Sequence, residues 1–299
     1  MIDGTTSTGI RDRLRAALAA PPSRYRPLWV ERHAAGWLDD ARALRLAEFT
    51  AVFDVRDEGV SFVAGIDTPA ARSDAVADVA RALAAAGELT PWRDERYAVA
   101  AEFGAPPLFL LERAAARFFG VHTHAAHVNG LVALPAGTAM WFARRSPTKA
   151  IDPGMLDNLV GGGIAAGATV AGTVAKEAWE EAGVPAGLAR RAVPTGTVEI
   201  CREQPDGLQR ETVFVHDLWL PADFVPAGQD GEVVAHRLVP LPEAAALIAL
   251  ATGPDAVTAD ASLVILDCLL RHGAIAADDP AYLALAALRH PAPMPAGER

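Results

Sequence analysis

The segment 161–184, GGGIAAGATVAGTVAKEAWEEAGV, decides the fold of this chain. Its second half predicts a helix over about 169–182, because apolar residues recur there at helical spacing and a glycine follows the last of them. Glu177, Glu180 and Glu181 fall at positions i, i+3 and i+4 of that helix, so their carboxylates share one face. Like charges at this spacing weaken an isolated helix, whereas three oxygen ligands on one side suit a divalent cation such as Mg²⁺.

An acidic cluster on a helix is more commonly a solvated face than a metal site. The helical phase separates these two interpretations. At about 100° per residue, Glu181 projects between Val170 and Val174, on the edge of the apolar stripe. A carboxylate in that position leaves bulk water and needs a partner, which a metal ion would supply. The glycines 161–163 that precede the helix also allow the backbone to approach a ligand closely.

The spacing of this segment resembles the Nudix box. The pattern of that family is Gly, five residues, Glu, seven residues, then Arg-Glu-aliphatic-any-Glu-Glu-any-Gly-aliphatic. Lys176 stands for the usual arginine, and Ala168 stands where the family has its first glutamate. The positions that match are Gly162, Glu177, Glu180, Glu181, Gly183 and Val184. Because the spacing is long and fixed, chance is a poor explanation of the match despite the loss at Ala168.

The resemblance implies a Nudix α/β/α sandwich with a mixed sheet, preceded by a small α+β domain. We expect residues 1–120 to form the amino-terminal domain, with a role in the substrate pocket or in assembly. Residues 121–299 would form the Nudix hydrolase domain with its carboxyl-terminal helices. Segments at 92–95 and 127–130 resemble a larger Nudix group that has a distinct amino-terminal domain. Members of that group are linked to damaged thiamine diphosphates, so the resemblance implies a substrate of that type.

The chemistry that the resemblance implies is hydrolysis of a diphosphate linked to an organic group, dependent on Mg²⁺ or Mn²⁺. The implied metal ligands are Glu177, Glu180, Glu181 and the carbonyl group of Gly162. Glu177 and Glu181 are the implied catalytic residues, and Glu177 is the first choice for the general base. The metal would neutralise phosphate charge and activate water for attack at phosphorus.

Three further residues complete the expected site. Arg144 and Lys149 are the expected phosphate contacts, as a fork and a point charge respectively, with a solvated loop as the alternative. Glu232 resembles the acidic residues that follow the box in this family and is the candidate for a further ligand or base.

Composition limits the partners of the chain. Lys and Arg number 27 against 37 Asp and Glu, which gives a formal net charge of −10. Nucleic-acid binding needs clustered cations, so this balance argues against DNA or RNA and leaves a small anionic diphosphate as the expected partner. No apolar stretch of about 18 residues lacks charge and no secretion signal is visible, so we expect no membrane partner and a cytoplasmic location. The oligomeric state stays open, a homodimer included.

Two other functions stay open at this point. Ala168 allows a catalytically weakened Nudix-like module that binds a diphosphate or nucleotide without cleaving it. Gly161, Gly163 and Ala166 fit the loose Gly-x-Gly-x-x-Ala dinucleotide fingerprint, which needs a parallel βαβ unit and is a weak signal alone.

His122, His124 and His127 resemble a metal cluster only in their spacing. On a strand, the first two share one face and the third takes the other, so we expect ordinary hydrogen-bonded histidines. In the amino-terminal domain, the residue pattern predicts a hairpin over about 52–64 and a helix over 107–119.

Overall fold

Residues 2–18 and 24–291 are described by the structure, which is a computed structural model. The first part of the chain contains, in order, α1 (Gly4–Ala17), β1 (Tyr25–Val30), β2 (His33–Asp39), α2 (Asp40–Leu46), β3 (Phe53–Arg56), β4 (Gly59–Phe62), α3 (Pro69–Ala85), β5 (Arg96–Val99) and β6 (Phe109–Glu112). The second part contains β7 (His122–Leu134), β8 (Gly137–Arg145), β9 (Leu156–Asn158), β10 (Val160–Gly163), α4 (Val170–Ala182), α5 (Ala186–Ala189), β11 (Val193–Gln204), β12 (Gly207–Trp219), β13 (Val233–Pro240), α6 (Leu241–Ile248), α7 (Ala259–Arg271) and α8 (Tyr282–Ala287). None of the helices in the described ranges is long and apolar enough to cross a bilayer.

The amino-terminal part is built on a four-stranded sheet in the order β2-β1-β4-β3. β3 and β4 pair antiparallel, so the hairpin expected over about 52–64 is confirmed. Helix α3 begins where the Thr68 hydroxyl accepts a hydrogen bond from the Ala71 N–H at 3.1 Å, and it buries Val76 and Leu83. A second hairpin of β5 and β6 packs against α3.

The helix expected over 107–119 is wrong. The segment instead forms strand β6 and a single 3₁₀ turn, Arg113–Ala115. Phe109 and Leu111 are fully buried while Leu110 between them is only partly buried, which is the period-two burial of a strand. Pairing with β5 supplies the backbone hydrogen bonds, so tertiary contacts override a helical pattern of apolar residues.

The second part contains a seven-stranded mixed sheet. Five strands follow the order β11-β12-β7-β8-β13, with β10 added beside β7 and β9 beside β8. β12 runs parallel to β7, while the other pairs in this sheet are antiparallel. The glycines 161–163 lie in β10, antiparallel to β7, so the parallel βαβ unit that the dinucleotide fingerprint needs is not formed here.

Helices cover both faces of this sheet. Val174 and Ala178 of α4 pack with Ala126 and Val128 of β7 on one face. Residues of α6 and α7 pack on the other face, together with Leu131 of β7. These three layers confirm the expected α/β/α sandwich with a mixed sheet, preceded by a smaller α+β unit.

Helix α1 packs on the second part of the molecule although it opens the chain. Its Ile10 and Leu14 are fully buried in the same core as α6 and α7. The Arg13 guanidinium donates to the Ile248 carbonyl at 2.7 Å and to the Ser262 hydroxyl at 2.6 Å. The expected division into residues 1–120 and 121–299 stays a prediction, and α1 is the element that crosses it.

Candidate active site

Helix α4 presents two of its glutamates to strand β10. The Thr169 hydroxyl caps the helix by accepting from the Gly172 N–H at 3.0 Å, and Gly183 ends it in the left-handed conformation at φ 61°. Val174 and Ala178 bury the apolar face against the sheet. This anchoring fixes the rotation of the helix, and therefore the direction of the glutamates that lie beside the buried face.

Glu181 is buried, with only 7% of its surface exposed. Its Oε2 accepts a hydrogen bond from the Gly161 N–H at 2.8 Å. Burial raises the pKa of Glu181 to about 8, and the negative charges of Asp157 and Glu177 oppose its ionisation further, against the hydrogen bond from Gly161. An ionised carboxylate in this place needs a cationic partner.

Glu177 and Glu180 share one cation, the ammonium group of Lys176. Lys176 Nζ lies 2.9 Å from Glu177 Oε1 and 2.8 Å from Glu180 Oε2. Burial raises the pKa of Glu177, because it outweighs the lowering by Lys176. Lys176, which stands in the position of the box arginine, therefore pairs with two of the three box carboxylates.

Each of the three consecutive glycines in β10 meets a side chain from a different element. A Cβ atom on Gly161 would lie 2.8 Å from Cε1 of His127 in β7. On Gly162 it would lie 2.5 Å from the Cδ of Glu177 in α4, and on Gly163 it would lie 3.0 Å from the Cζ of Tyr97 in β5. Only glycine leaves room for all three neighbours.

A cavity lies between the two parts of the molecule, and β10 forms part of its wall. Its lining from the second part includes the glycines 161–163, while the amino-terminal part contributes Arg93, Tyr97, Arg113 and Arg117. Guanidinium groups attract phosphate oxygens, and the α4 glutamates lie behind this wall. The cavity lining thus contains anion-binding groups, while Glu177, Glu180 and Glu181 are not part of the lining and lie against its glycine strand.

The other residues expected from sequence occupy two different places. Lys149 and Glu232 both line the cavity and form an ion pair with each other. Burial raises the pKa of Glu232, but the Lys149 ammonium outweighs it, so this pKa is lowered overall. The structure does not bring Arg144 to the cavity, because its guanidinium bonds to Asp255 and to the Gly154 carbonyl. Phosphate binding by Arg144 stays an untested prediction.

The neighbouring Arg145 is the arginine of this strand that lines the cavity, and sequence reasoning missed it. It donates to Asp157 at 2.7 Å and to the carbonyl of Ile151 at 2.9 Å. Arg144 and Arg145 follow one another in β8, where alternate side chains take opposite faces. Strand alternation was the available signal, but it does not say which face lines the site.

Two partly buried acids, Glu211 and Asp260, form a second carboxylate pair in the cavity lining and were also missed. The Gln209 amide donates to Glu211 at 3.3 Å and to Asp260 at 2.9 Å. Burial and the charge of Asp260 raise the pKa of Glu211. For Asp260, burial acts in the same direction, but Arg202 and Gln209 outweigh it and the pKa is lowered.

The three histidines of β7 behave as expected for ordinary strand residues. His122 and His124 stack on one face with ring centres 5.0 Å apart, and His122 Nε2 lies 2.9 Å from the Thr212 hydroxyl. His127 lies on the other face, where its Nδ1 donates to the Asn158 Oδ1 at 2.9 Å.

Comparison with known proteins identifies the family. The chain is 36% identical over 268 residues to "Nudix hydrolase 20, chloroplastic" of Arabidopsis thaliana, covering 87% of this chain and 71% of that protein. The chain belongs to the Nudix hydrolases. A second Arabidopsis thaliana protein, "Nudix hydrolase 24, chloroplastic", is 37% identical over 87% of this chain and 71% of its own length. Membership makes this protein a Nudix-type hydrolase, with cleavage of diphosphate compounds as its general activity.

Two family models match consecutive parts of this Nudix hydrolase. The NUDIX domain matches residues 123–261, and a domain of unknown function, DUF4743, matches residues 13–123. The crystallised NUDIX domain of Shewanella oneidensis NrtR, complexed with ADP ribose, is similar over 52% of this chain and 90% of its own. That similarity has 13% identity and a TM-score of 0.37.

The box residues of this Nudix hydrolase fit the divalent metal that the family generally uses. Glu177, Glu180 and Glu181 supply only carboxylate oxygens, which Mg²⁺ prefers over nitrogen or sulfur. The buried Glu181 receives one hydrogen bond from the protein, so its carboxylate retains capacity for a cation. Ala168, in the position of the missing box glutamate, is exposed and contributes no ligand side chain.

Proposed function

We propose that this chain hydrolyses a diphosphate joined to an organic group, in a reaction that depends on Mg²⁺ or Mn²⁺. The observation that carries the proposal is the convergence of Glu177 and Glu181 on the glycine strand β10, at the wall of a cavity that arginines also line. Carboxylates suit the metal and guanidinium groups suit the phosphates, so one substrate uses both.

The residues of the chain have separate roles in this proposal. Glu177, Glu180 and Glu181 hold the divalent cation, with the Gly162 carbonyl as a further ligand. A bound cation of this kind neutralises phosphate charge and makes water more acidic. Glu177 takes the proton of the attacking water, and Glu232 is the alternative acceptor. Cavity cations orient the diphosphate for attack at phosphorus.

The substrate that we propose is a diphosphate of the thiamine type. The cavity supports this choice because its lining carries both positive and negative side chains. Arg93, Arg113 and Arg117 suit an anionic diphosphate, while Glu211 and Asp260 are partly buried acceptors for an organic group that carries positive charge or N–H donors. A thiazolium ring joined to an aminopyrimidine has both of these properties.

A panel of organic diphosphates tests the activity and the substrate together. Thiamine diphosphate, an oxidised thiamine diphosphate with a neutral ring, and ADP-ribose are incubated with the full chain and Mg²⁺, and released monophosphate and phosphate are measured. We expect cleavage in the panel, with the highest kcat/KM on a thiamine-type diphosphate. Binding of diphosphates with no cleavage in any member would instead favour the weakened binding module that Ala168 allows.

The metal site is tested by substitution of the buried glutamate. In calorimetry, Glu181→Gln is expected to weaken Mn²⁺ binding at least tenfold, because it removes an anionic ligand from a buried position. Glu48→Gln is the matched control, since Glu48 follows the end of α2, has a mostly exposed side chain and does not line the cavity. Equal Mn²⁺ affinity of wild type and Glu181→Gln would refute the assignment.

A further inference from the structure

We propose that Tyr97, which the amino-terminal part supplies, donates its phenolic hydrogen bond to the diphosphate of the substrate. The inference rests on the proposed diphosphate hydrolysis and adds a binding residue that lies outside the Nudix domain. The O–H group donates a hydrogen bond only: the proton stays on the oxygen and no covalent bond to Tyr97 forms or breaks.

Tyr97 reaches the wall of the active site from strand β5. Its side chain lines the cavity and packs on Gly163, so that a Cβ atom added there would overlap the hydroxyl group. Gly163 is adjacent to Gly162, which packs against Glu177 in the same way. The Tyr97 hydroxyl therefore lies next to the part of β10 that contacts the expected metal ligands.

The Tyr97 hydroxyl has no hydrogen-bond partner within residues 2–18 and 24–291, although only 7% of the residue surface is exposed. The hydroxyl oxygen is not closed off from water, so it can bond to a molecule that enters the cavity. Because this hydroxyl belongs to the cavity lining, a ligand in the cavity is the natural acceptor. A phosphate oxygen accepts such a bond strongly because it is charged.

The charges around Tyr97 make it a donor and not a base. Burial raises the pKa of the phenol, and the nearby carboxylates of Glu211 and Glu177 raise it further, against the effect of Arg113. The group therefore keeps its proton at physiological pH. The Arg113 guanidinium lies 5.8 Å from the centre of the Tyr97 ring and bonds to Glu95 at 2.7 Å, which adds positive charge beside the donor.

Hydrogen bonds between the two parts hold Tyr97 in register with the box. The N–H of Ala166, in the loop between β10 and α4, donates to the carbonyl of Arg96 at 2.7 Å. Tyr97 itself pairs with Leu111 in the β5-β6 hairpin. Because Arg96 and Tyr97 are neighbours, the loop that leads into the metal-binding helix also fixes the phenol.

The Tyr97→Phe substitution tests the inference with little change in packing. In the full chain, it is expected to lower kcat/KM on the cleaved diphosphate between 10- and 100-fold, the usual effect of losing one hydrogen bond to a charged group. The control is Tyr25→Phe, because the Tyr25 hydroxyl likewise has no hydrogen-bond partner in the described residues but is buried away from the cavity. We expect Tyr25→Phe to match wild type.

A binding measurement separates this inference from the proposed hydrolysis. With Mg²⁺ present, titration of the non-hydrolysable probe methylenediphosphonate is expected to show at least fivefold weaker binding to Tyr97→Phe than to wild type. Mn²⁺ affinity and Tm are expected to stay the same, which a purely structural role would not predict. Absence of cleavage by wild type would refute the hydrolysis alone, since probe binding still tests Tyr97. Equal probe affinity of Tyr97→Phe and wild type would overturn the inference.

Discussion

Glu181 combines a charged side chain with a buried position, and that conflict defines the site. The carboxylate receives one backbone hydrogen bond, from Gly161, and lies near the charges of Asp157 and Glu177. A glutamate on the surface is solvated by water, so its charge costs the folded state little and needs no cation. For Glu181 the proposed cation would offset the cost of burial, so we expect metal binding and stability to be coupled.

The raised pKa of Glu181 gives a pH dependence of stability in the metal-free protein. Between the ordinary pKa of 4.5 and the folded pKa of about 8, the folded state retains a proton that the unfolded chain has released. Stability therefore falls as pH rises from 5 to 8, by at most about 4 kcal/mol for this group. Urea unfolding in EDTA is expected to show this fall in wild type and a smaller one in Glu181→Gln.

Added Mg²⁺ is expected to restore wild-type stability at pH 8, while Glu181→Gln responds less. Parallel pH profiles for wild type and Glu181→Gln in EDTA would contradict the burial of an ionisable group at this position.

The candidate site could be predicted from sequence only where one element carries it. Glu177, Glu180 and Glu181 lie on one helix, and the helical period alone brings them together. Tyr97 and Glu211 come from strands distant in sequence, and no local period relates them to the box. Their approach depends on the docking of β5 and on the parallel pairing of β12 with β7, which only the folded chain specifies.

At the scale of elements, α1 stabilises a core that it does not adjoin in sequence. Leu14 is fully buried among residues of α6 and α7, whereas Leu44 in α2 is 72% exposed. These two leucines lie in amino-terminal helices and differ in burial. They therefore form a matched pair for measuring what α1 contributes.

Leu14→Ala is expected to lower the free energy of unfolding by about 2–5 kcal/mol, because it leaves a cavity in the core. Leu44→Ala is expected to change it by less than about 0.5 kcal/mol. Urea or thermal unfolding checks both. Similar losses for the two variants would show that α1 is not packed as the structure describes.

The elements themselves follow from the sequence to different extents. The sequence predicts the start of the helix that carries the box within a residue, because apolar residues recur at helical spacing and Gly183 follows the last of them. The segment 107–119 misled because its apolar residues fit a helix and a strand alike. Pairing with β5 decided between them, and that pairing is not local information.

At the scale of the whole molecule, elements from the amino-terminal part pack on the second part at two places. α1 packs with the carboxyl-terminal helices, while β5 and the arginines near it wall the cavity from the other direction. The two sequence families meet at residue 123, but the core of the second part includes residues from before residue 20. A chain cut near Gly120 therefore loses both α1, which belongs to the core of the second part, and the amino-terminal wall of the cavity.

A chain that begins at Gly120 is expected to lose cooperative unfolding, because it lacks α1 and exposes the apolar surfaces that α1 covers. Joining residues 2–18 to 121–291 through a flexible linker is expected to recover a single transition, but with low activity, since Tyr97 and Arg113 stay absent. Calorimetric melting and diphosphate cleavage measure the two effects. Cooperative unfolding of the shorter chain would instead support an independent domain from residue 121.

The glycines 161–163 have a consequence for how this sequence tolerates change. Each of these three adjacent positions is closed to a side chain by a different neighbour: His127, Glu177 or Tyr97. A side chain at Gly161 would displace His127, one at Gly162 would displace the proposed metal ligand Glu177, and one at Gly163 would push Tyr97 away from the strand. Because the three obstacles come from three different elements, we expect a second substitution at a neighbouring glycine to add to the damage of the first and not to relieve it.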